Sequence, residues 1–118
     1  MDSLDDILSQ ILAFRDERDW GRFHTPKNLA AAMAVETAEL QETMLWKSDG
    51  EVTGFIATVE GKTVVTDEVA DVLIATLLLC LTAGIDPITA IRDKLKKNAA
   101  RYPSDVVKGK AIPHTKTK

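Results

Sequence analysis

The stretch Thr66-Asp67-Glu68-Val69-Ala70-Asp71-Val72-Leu73-Ile74-Ala75-Thr76-Leu77-Leu78-Leu79-Cys80-Leu81 decides the fold. From Val69 to Leu81 it is apolar on nearly every side, which marks a helix surrounded by other elements. Thr66 is a good N-cap, and Asp67 and Glu68 follow it where the helix dipole favours negative charge. The spacing therefore predicts a central helix that opens at Thr66 and ends before Gly84. The longest apolar run, Val72 to Leu81, is about half of the ~20 residues that a membrane span needs, and Asp71 stands at its edge. A buried core helix is the better reading.

Helical signals continue on both sides. Downstream, Asp86-Pro87 pairs a cap with a proline at the first helical position and predicts a helix to near Arg101, closed by Tyr102-Pro103. Upstream, Thr25-Pro26 gives the same signal, and Leu29, Met33, Leu40 and Met44 mark one face of a helix running to about Trp46. Leu4, Ile7, Leu8, Ile11, Leu12 and Phe14 recur at helical spacing behind Ser3, up to about Asp19, and Trp20-Gly21 breaks that helix. Residues 47–65 hold Gly50, Gly54 and Gly61 and a run of β-branched residues, so a short hairpin and a loop with part of a helix both fit. The expected fold is all-α: a four-helix bundle over residues 1–103, with a short loop or hairpin between helices two and three. Residues 104–118, with few large apolar side chains, are expected to form an extended or disordered basic tail.

Length and composition narrow the function classes. The 118 residues suffice for one domain with one core, and 45% apolar with 28% charged residues describe a soluble globular chain. A net charge of −3 does not advertise nucleic-acid binding. Most of the positive charge lies from Arg92 onward, but no aromatic residue follows Tyr102 to stack on a base, so no nucleic-acid partner is expected. Cys80 is the single cysteine. It cannot form an internal disulfide, sits in the run Leu77 to Leu81, and is expected to be a buried inert thiol in a reducing, cytoplasmic setting. The acidic start, Met1 to Asp6, does not have the form of a secretory signal, and no membrane partner is expected.

Four carboxylates stand where apolar residues belong. At about 100° per residue, Leu29, Leu40 and Met33 fall within about 60° of Glu36 on helix two, and Glu39 lies about 60° to the other side. On the central helix, Val72 and Leu79 fall within about 40° of Glu68, and Asp71 lies about 60° away. An ionised carboxylate facing a core is costly unless it is protonated, paired or bound to metal. One E-x-x-E pair is usually just a solvated helix face. Two E-x-x-E/D pairs on facing helices can also surround a hard divalent ion with oxygens, as magnesium requires, and its usual partner there is a substrate phosphate. Bundle di-iron sites use E-x-x-H, and no histidine follows these acids at that spacing.

Taken together, the segments resemble a known family. They are Phe14-Arg15-Asp16-Glu17-Arg18-Asp19-Trp20, Phe23-His24-Thr25-Pro26-Lys27-Asn28-Leu29, Glu36-Thr37-Ala38-Glu39-Leu40 with Trp46-Lys47, Asp67-Glu68-Val69-Ala70-Asp71-Val72-Leu73, and Asn98-Ala99-Ala100-Arg101-Tyr102-Pro103. In order, over residues 4–103, they resemble the MazG-like all-α NTP pyrophosphohydrolase superfamily, in its dCTP pyrophosphatase-like branch. The resemblance implies magnesium-dependent cleavage of a nucleoside triphosphate between the α and β phosphates, giving a monophosphate and pyrophosphate. It implies Glu36, Glu39, Glu68 and Asp71 as magnesium ligands, with Glu39 the expected general base.

Lys94, Asn98 and Arg101 fall within an arc of about 60° on helix four. A solvated basic face is the plain reading of such an arc. With the resemblance, Lys94, Arg101 and Lys47 are expected to bind phosphate. Trp20, His24 and Trp46 are expected to hold base or sugar, with Asn28, Asn98 and Tyr102 beside them. The resemblance further implies a homodimer or homotetramer and a role in nucleotide-pool house-cleaning. The dCTP-specific branch has a tyrosine four residues after the last acid. Here that position is Ala75, and residues 52–66 also differ, so base specificity is left open. The competing reading is a non-catalytic helical oligomerisation or interaction module whose acids are merely solvated.

Overall fold

The structure, a computed structural model, describes residues 3–111. Among them all regular structure is helical: α1 (Leu4–Glu17), a 3-10 turn (Gly21–Phe23), α2 (Pro26–Glu42), α3 (Asp49–Ala57), α4 (Val59–Ala83), α5 (Pro87–Arg101) and α6 (Ser104–Val107). The chain divides into two compact units, Met1–Ile85 and Asp86–Lys118. No single helix among the described residues is long and apolar enough to cross a membrane.

Local chemistry explains the starts of the longer helices. The Ser3 hydroxyl accepts from the Asp6 N–H (3.2 Å) while the Asp6 carboxylate accepts from the Ser3 N–H (3.3 Å), a reciprocal cap. Thr25 Oγ1 accepts from the Asn28 N–H ahead of Pro26. Asp86 Oδ2 accepts from the Thr89 N–H ahead of Pro87. Gly84 ends α4 in the left-handed conformation (φ 70°), and the Ile85 N–H reaches back to the Cys80 carbonyl.

Several expectations are corrected. Residues 47–65 form no hairpin, and the part of a helix allowed for beside a loop is nearly the whole stretch. Ser48 and Glu51 exchange cap hydrogen bonds (3.2 and 3.0 Å) and start α3. With α3 present, five helices of nine residues or more replace the four expected, followed by the four-residue α6. The central helix opens not at Thr66 but at Thr58, whose hydroxyl accepts from the Gly61 N–H (3.0 Å). β-branched Val59, Thr63, Val64 and Val65 cost a helix only a few tenths of a kcal/mol each. Helix two ends at Glu42, and a turn through Thr43 to Trp46 follows. Part of the presumed tail, Ser104–Val107, is a helical turn, while residues 112–118 lie outside those described. Cys80 is half-buried rather than buried.

In the first unit α4 is the axis. α2 lies along it, α3 folds back on its start, and α1 also rests against it. The α3–α4 corner is a single residue. Thr58 ends one helix and caps the next, with extended backbone (φ −82°, ψ 155°). Its hydroxyl donates to the Phe55 carbonyl (2.7 Å) and accepts from Gly61. Gly61 is buried, and a Cβ placed there would lie 1.9 Å from the Phe55 carbonyl oxygen and 2.8 Å from its ring. Gly61→Ala is expected to open this corner at a cost of about 1–3 kcal/mol. Thermal unfolding checks this, and an unchanged melting temperature would show that α3 is not clamped to α4.

Candidate functional site

α2 and α4 bring the two carboxylate pairs together. Glu36, Glu39, Glu68 and Asp71 each offer an oxygen, and these oxygens lie within 4.8 Å of one another. Glu36 and Glu68 are half-buried, whereas Glu39 and Asp71 are exposed. The later start of α4 matters here: Glu68 is not in the first helical turn but at the tenth residue of a 25-residue helix, away from the helix-terminal dipole and fixed by a rigid rod.

Electrostatics register the crowding. Desolvation, then the charges of Glu39 and Asp71, a hydrogen bond with Glu39, and the charge of Glu68 raise the Glu36 carboxyl above its ordinary value. Desolvation, then Glu39, Asp71, Asp67 and Glu42, raise Glu68. Oε2 of Glu36 and Oε2 of Glu68 are both buried without a hydrogen-bond partner. An orphaned buried carboxylate oxygen is costly unless it is protonated, paired or bound to a cation. An all-oxygen donor set suits a hard divalent ion, and two ligands across a magnesium ion lie about 4.2 Å apart, close to the observed spread. The four acids fit such an ion.

The raised values have a sign. A carboxyl that holds its proton more tightly when folded destabilises the fold once ionised, so its contribution to stability is lost as pH rises from about 4.5 through the raised folded value. In chelator, Glu68→Gln should melt above the wild type near neutral pH, with the gap narrowing as pH falls toward about 5. A gap that is constant with pH would mean that Glu68 is not held ionised at a cost.

Beside the acids lies a cavity of about 460 Å³ lined by three helix faces. Glu36, Ala32 and Leu29 line it from α2, and Asp71, Ile74, Ala75 and Leu78 from α4. α1 supplies Ile7, Gln10, Ile11, Phe14 and Arg15, and the link to α2 supplies Trp20 and His24. Trp20 stands edge-on to Phe14, with ring centres 5.8 Å apart. His24 Nδ1 is buried with no partner. Arg15 is held by Asp16 (2.8 Å) and packs against Gly21.

Of the residues expected at base and phosphate, Trp20 and His24 line this cavity. The others are not among its lining residues. Trp46 is 93% exposed and turns through φ 67°. Asn28 Nδ2 donates to the Phe23 carbonyl (3.0 Å) and closes the 3-10 turn. Lys47 Nζ donates to the Thr43 carbonyl (2.9 Å) and lies over the Phe55 ring. Lys94, Asn98, Arg101 and Tyr102 belong to the second unit, where the Tyr102 N–H donates to the Asn98 carbonyl (2.8 Å) and the Arg101 guanidinium lies 6.0 Å from the Tyr102 ring centre. Sequence reasoning missed the α1 wall, because Ile7, Ile11 and Phe14 read as ordinary core. The polar Gln10 and Arg15 beside that stripe were the available signal.

A family model described as MazG-like matches residues 31–111. The chain belongs to the MazG-like family. The match includes all four acids, whereas the α1 wall, Trp20 and His24 precede it. This MazG-like chain is similar to dCTP pyrophosphatase 1 of Rattus norvegicus, 34% identical over 113 residues, and to that of Homo sapiens, 33% identical over the same length. Each alignment covers 96% of this chain and 66% of the relative, so the chain spans just under two thirds of these curated proteins. Among solved structures it is similar to a pyrophosphatase from Archaeoglobus fulgidus, with a TM-score of 0.80 and 40% identity, covering 87% of this chain and 94% of that one.

Proposed function

We propose that the chain is a magnesium-dependent nucleoside triphosphate pyrophosphohydrolase that cleaves between the α and β phosphates, with dCTP or a modified cytosine nucleotide as substrate. The observation that carries this reading is the convergence of Glu36, Glu39, Glu68 and Asp71, two of them with orphaned buried oxygens, at a cavity of nucleoside size. Family membership and relatives named as pyrophosphatases support it.

The four acids would hold magnesium, which when bound neutralises the triphosphate and sharpens a water as nucleophile. Glu39, an exposed member of the cluster, would take the proton of the attacking water as its oxygen bonds to the α-phosphorus. The bond from that phosphorus to the bridging oxygen breaks, and pyrophosphate leaves with the electron pair. Trp20 offers a flat ring for a nucleobase and His24 a polar contact. Lys47, Lys94 and Arg101 are the proposed phosphate cations, with Asn28, Asn98, Tyr102 and Trp46 completing the base and sugar site in the assembled enzyme. A deoxynucleotide panel with magnesium, read for pyrophosphate against single phosphate, tests the reading. Release of single phosphates rejects the α–β cleavage, and release of nothing favours the non-catalytic module.

The proposal includes a homo-oligomer, a dimer or tetramer. Among the described residues only Leu29, Ala75 and Leu78 are buried apolar side chains. Val69 (39% exposed) and Leu73 (56%) lie on the face of α4 turned away from Ala75, about 120° and 160° round the helix. A small helical unit with so thin a core needs further cover. The lone half-buried cysteine is compatible with a cytoplasmic pool-cleaning role.

A further inference from the structure

Among the residues that line the cavity, Arg15 is the only lysine or arginine. Its surroundings fix it there. Asp16 Oδ1 lies 2.9 Å from Nε and 2.8 Å from Nη2, so this carboxylate holds one edge of the guanidinium. Gly21 leaves the group room, since a Cβ at that position would stand 3.3 Å from Nε and 3.5 Å from Cζ. The Arg15 side chain is 21% exposed and that of Asp16 62%. The pair is therefore lopsided, with the anion toward water and the cation in the cavity wall. A guanidinium carries five N–H donors in a rigid fork. Asp16 engages the Nε edge alone, and Nη1 has no partner among the described residues.

Glu36 and Asp71 line the same cavity, yet neither forms an ion pair with Arg15 among the described residues. A cation and two carboxylates share one space without neutralising each other. Such a space suits a ligand that is anionic where it meets the arginine and binds a metal where it meets the acids. The backbone says which part of a nucleotide meets the arginine. The Arg15 carbonyl accepts from the Trp20 N–H (3.1 Å), so guanidinium and indole rise from one short segment. A base lying on the Trp20 ring brings the phosphate next to its sugar closest to that segment.

We infer that Arg15 holds the α-phosphate from the nucleoside side of the bond that breaks, and that it retains the monophosphate product after pyrophosphate has left. This rests on the pyrophosphohydrolase reading above. In the triphosphate, the α-phosphate is bridged on both sides and carries about one charge; cleavage makes it a monoester of about −1.5 to −2. Its ion pair with Arg15 therefore tightens as pyrophosphate departs, and the monophosphate inhibits by competing with fresh substrate.

Calorimetry on the full chain with magnesium tests this with three probes: deoxycytidine, deoxycytidine 5′-monophosphate and pyrophosphate. Arg15→Met keeps the apolar stem and removes the charge. It should weaken the monophosphate by about tenfold or more, as loss of a charge-assisted hydrogen bond does, and leave deoxycytidine and pyrophosphate unchanged. Arg15→Lys, a point charge without the fork, should fall between wild type and the methionine variant. It decides the matter if circular dichroism shows that the methionine variant is not folded.

A monophosphate affinity that neither variant alters, or an equal loss for all three probes, makes Arg15 a strut of the wall and overturns its role. A loss confined to pyrophosphate places the cation on the leaving group and overturns it too. The expected loss for the monophosphate, beside a wild type that releases no pyrophosphate from any triphosphate, keeps the anion site and overturns the cleavage reading alone.

Discussion

Glu36→Gln should abolish pyrophosphate release and, in the absence of metal, raise the melting temperature. The two effects have one cause. Glu36 holds an orphaned buried oxygen against three other carboxylates, and its ionised form is disfavoured by burial first and by Glu39 and Asp71 next. An amide of the same shape removes the charge and relieves the repulsion, so the metal-free fold gains. It also removes a ligand, and loss of a metal ligand should exceed the 10–100-fold cost typical of losing an outer-shell partner, so turnover should fall by at least about 100-fold. Magnesium, which stabilises by binding the native state, should raise the wild-type melting temperature more than that of the variant. Thermal melts with and without magnesium, beside a pyrophosphate assay, check both halves. Unchanged turnover would return the acids to the status of a solvated helix face.

Leu73→Arg should convert the protein to a 12.9 kDa monomer with a much lower melting temperature. Leu73 is 56% exposed on the apolar helix α4, and the described core has only three buried apolar side chains. Stable interfaces bury well over about 1,000 Å² and concentrate their energy in a few desolvated side chains. A buried, unpaired guanidinium at such a point is strongly destabilising. A loss of about 2 kcal/mol or more lowers melting by roughly 10 °C in a domain of this size. Light scattering reads the mass. A wild type that is already monomeric at 12.9 kDa would remove the assembly from the proposal.

The parts of the fold legible in the sequence were those set by local chemistry. Ser3, Thr25-Pro26 and Asp86-Pro87 announce three helix starts, and all three side chains act as caps. The α3 start was equally legible, since Ser48-x-x-Glu51 has the form of a capping box. The glycines and β-branched residues after it drew the reading toward a turn. Thr66 misled because a threonine followed by two acids is a good cap only when no stronger start precedes it. Thr58 and the close approach of Gly61 to Phe55 are tertiary facts that no spacing rule contains. The four acids were legible because their misplacement is periodic and their convergence needs only two packed helices. The cavity was not, because an apolar stripe such as Ile7, Ile11 and Phe14 reads the same whether it meets a neighbouring helix or an empty space.

The two tryptophans stand in opposite surroundings, and this gives the protein an optical readout of its own. Trp20 lies against Phe14 in the cavity wall, whereas Trp46 holds a left-handed turn almost wholly in water. Indole emission moves to the blue when water leaves the ring. In a Trp20→Phe chain all such emission comes from Trp46, so a blue shift on raising protein concentration would show a second subunit covering it. The same shift on adding magnesium and nucleotide at fixed concentration would show the ligand covering it. In a Trp46→Phe chain, quenching of Trp20 reports a base stacked at the cavity. Separate signals for assembly and for occupancy thus come from two residues already in place, without any label.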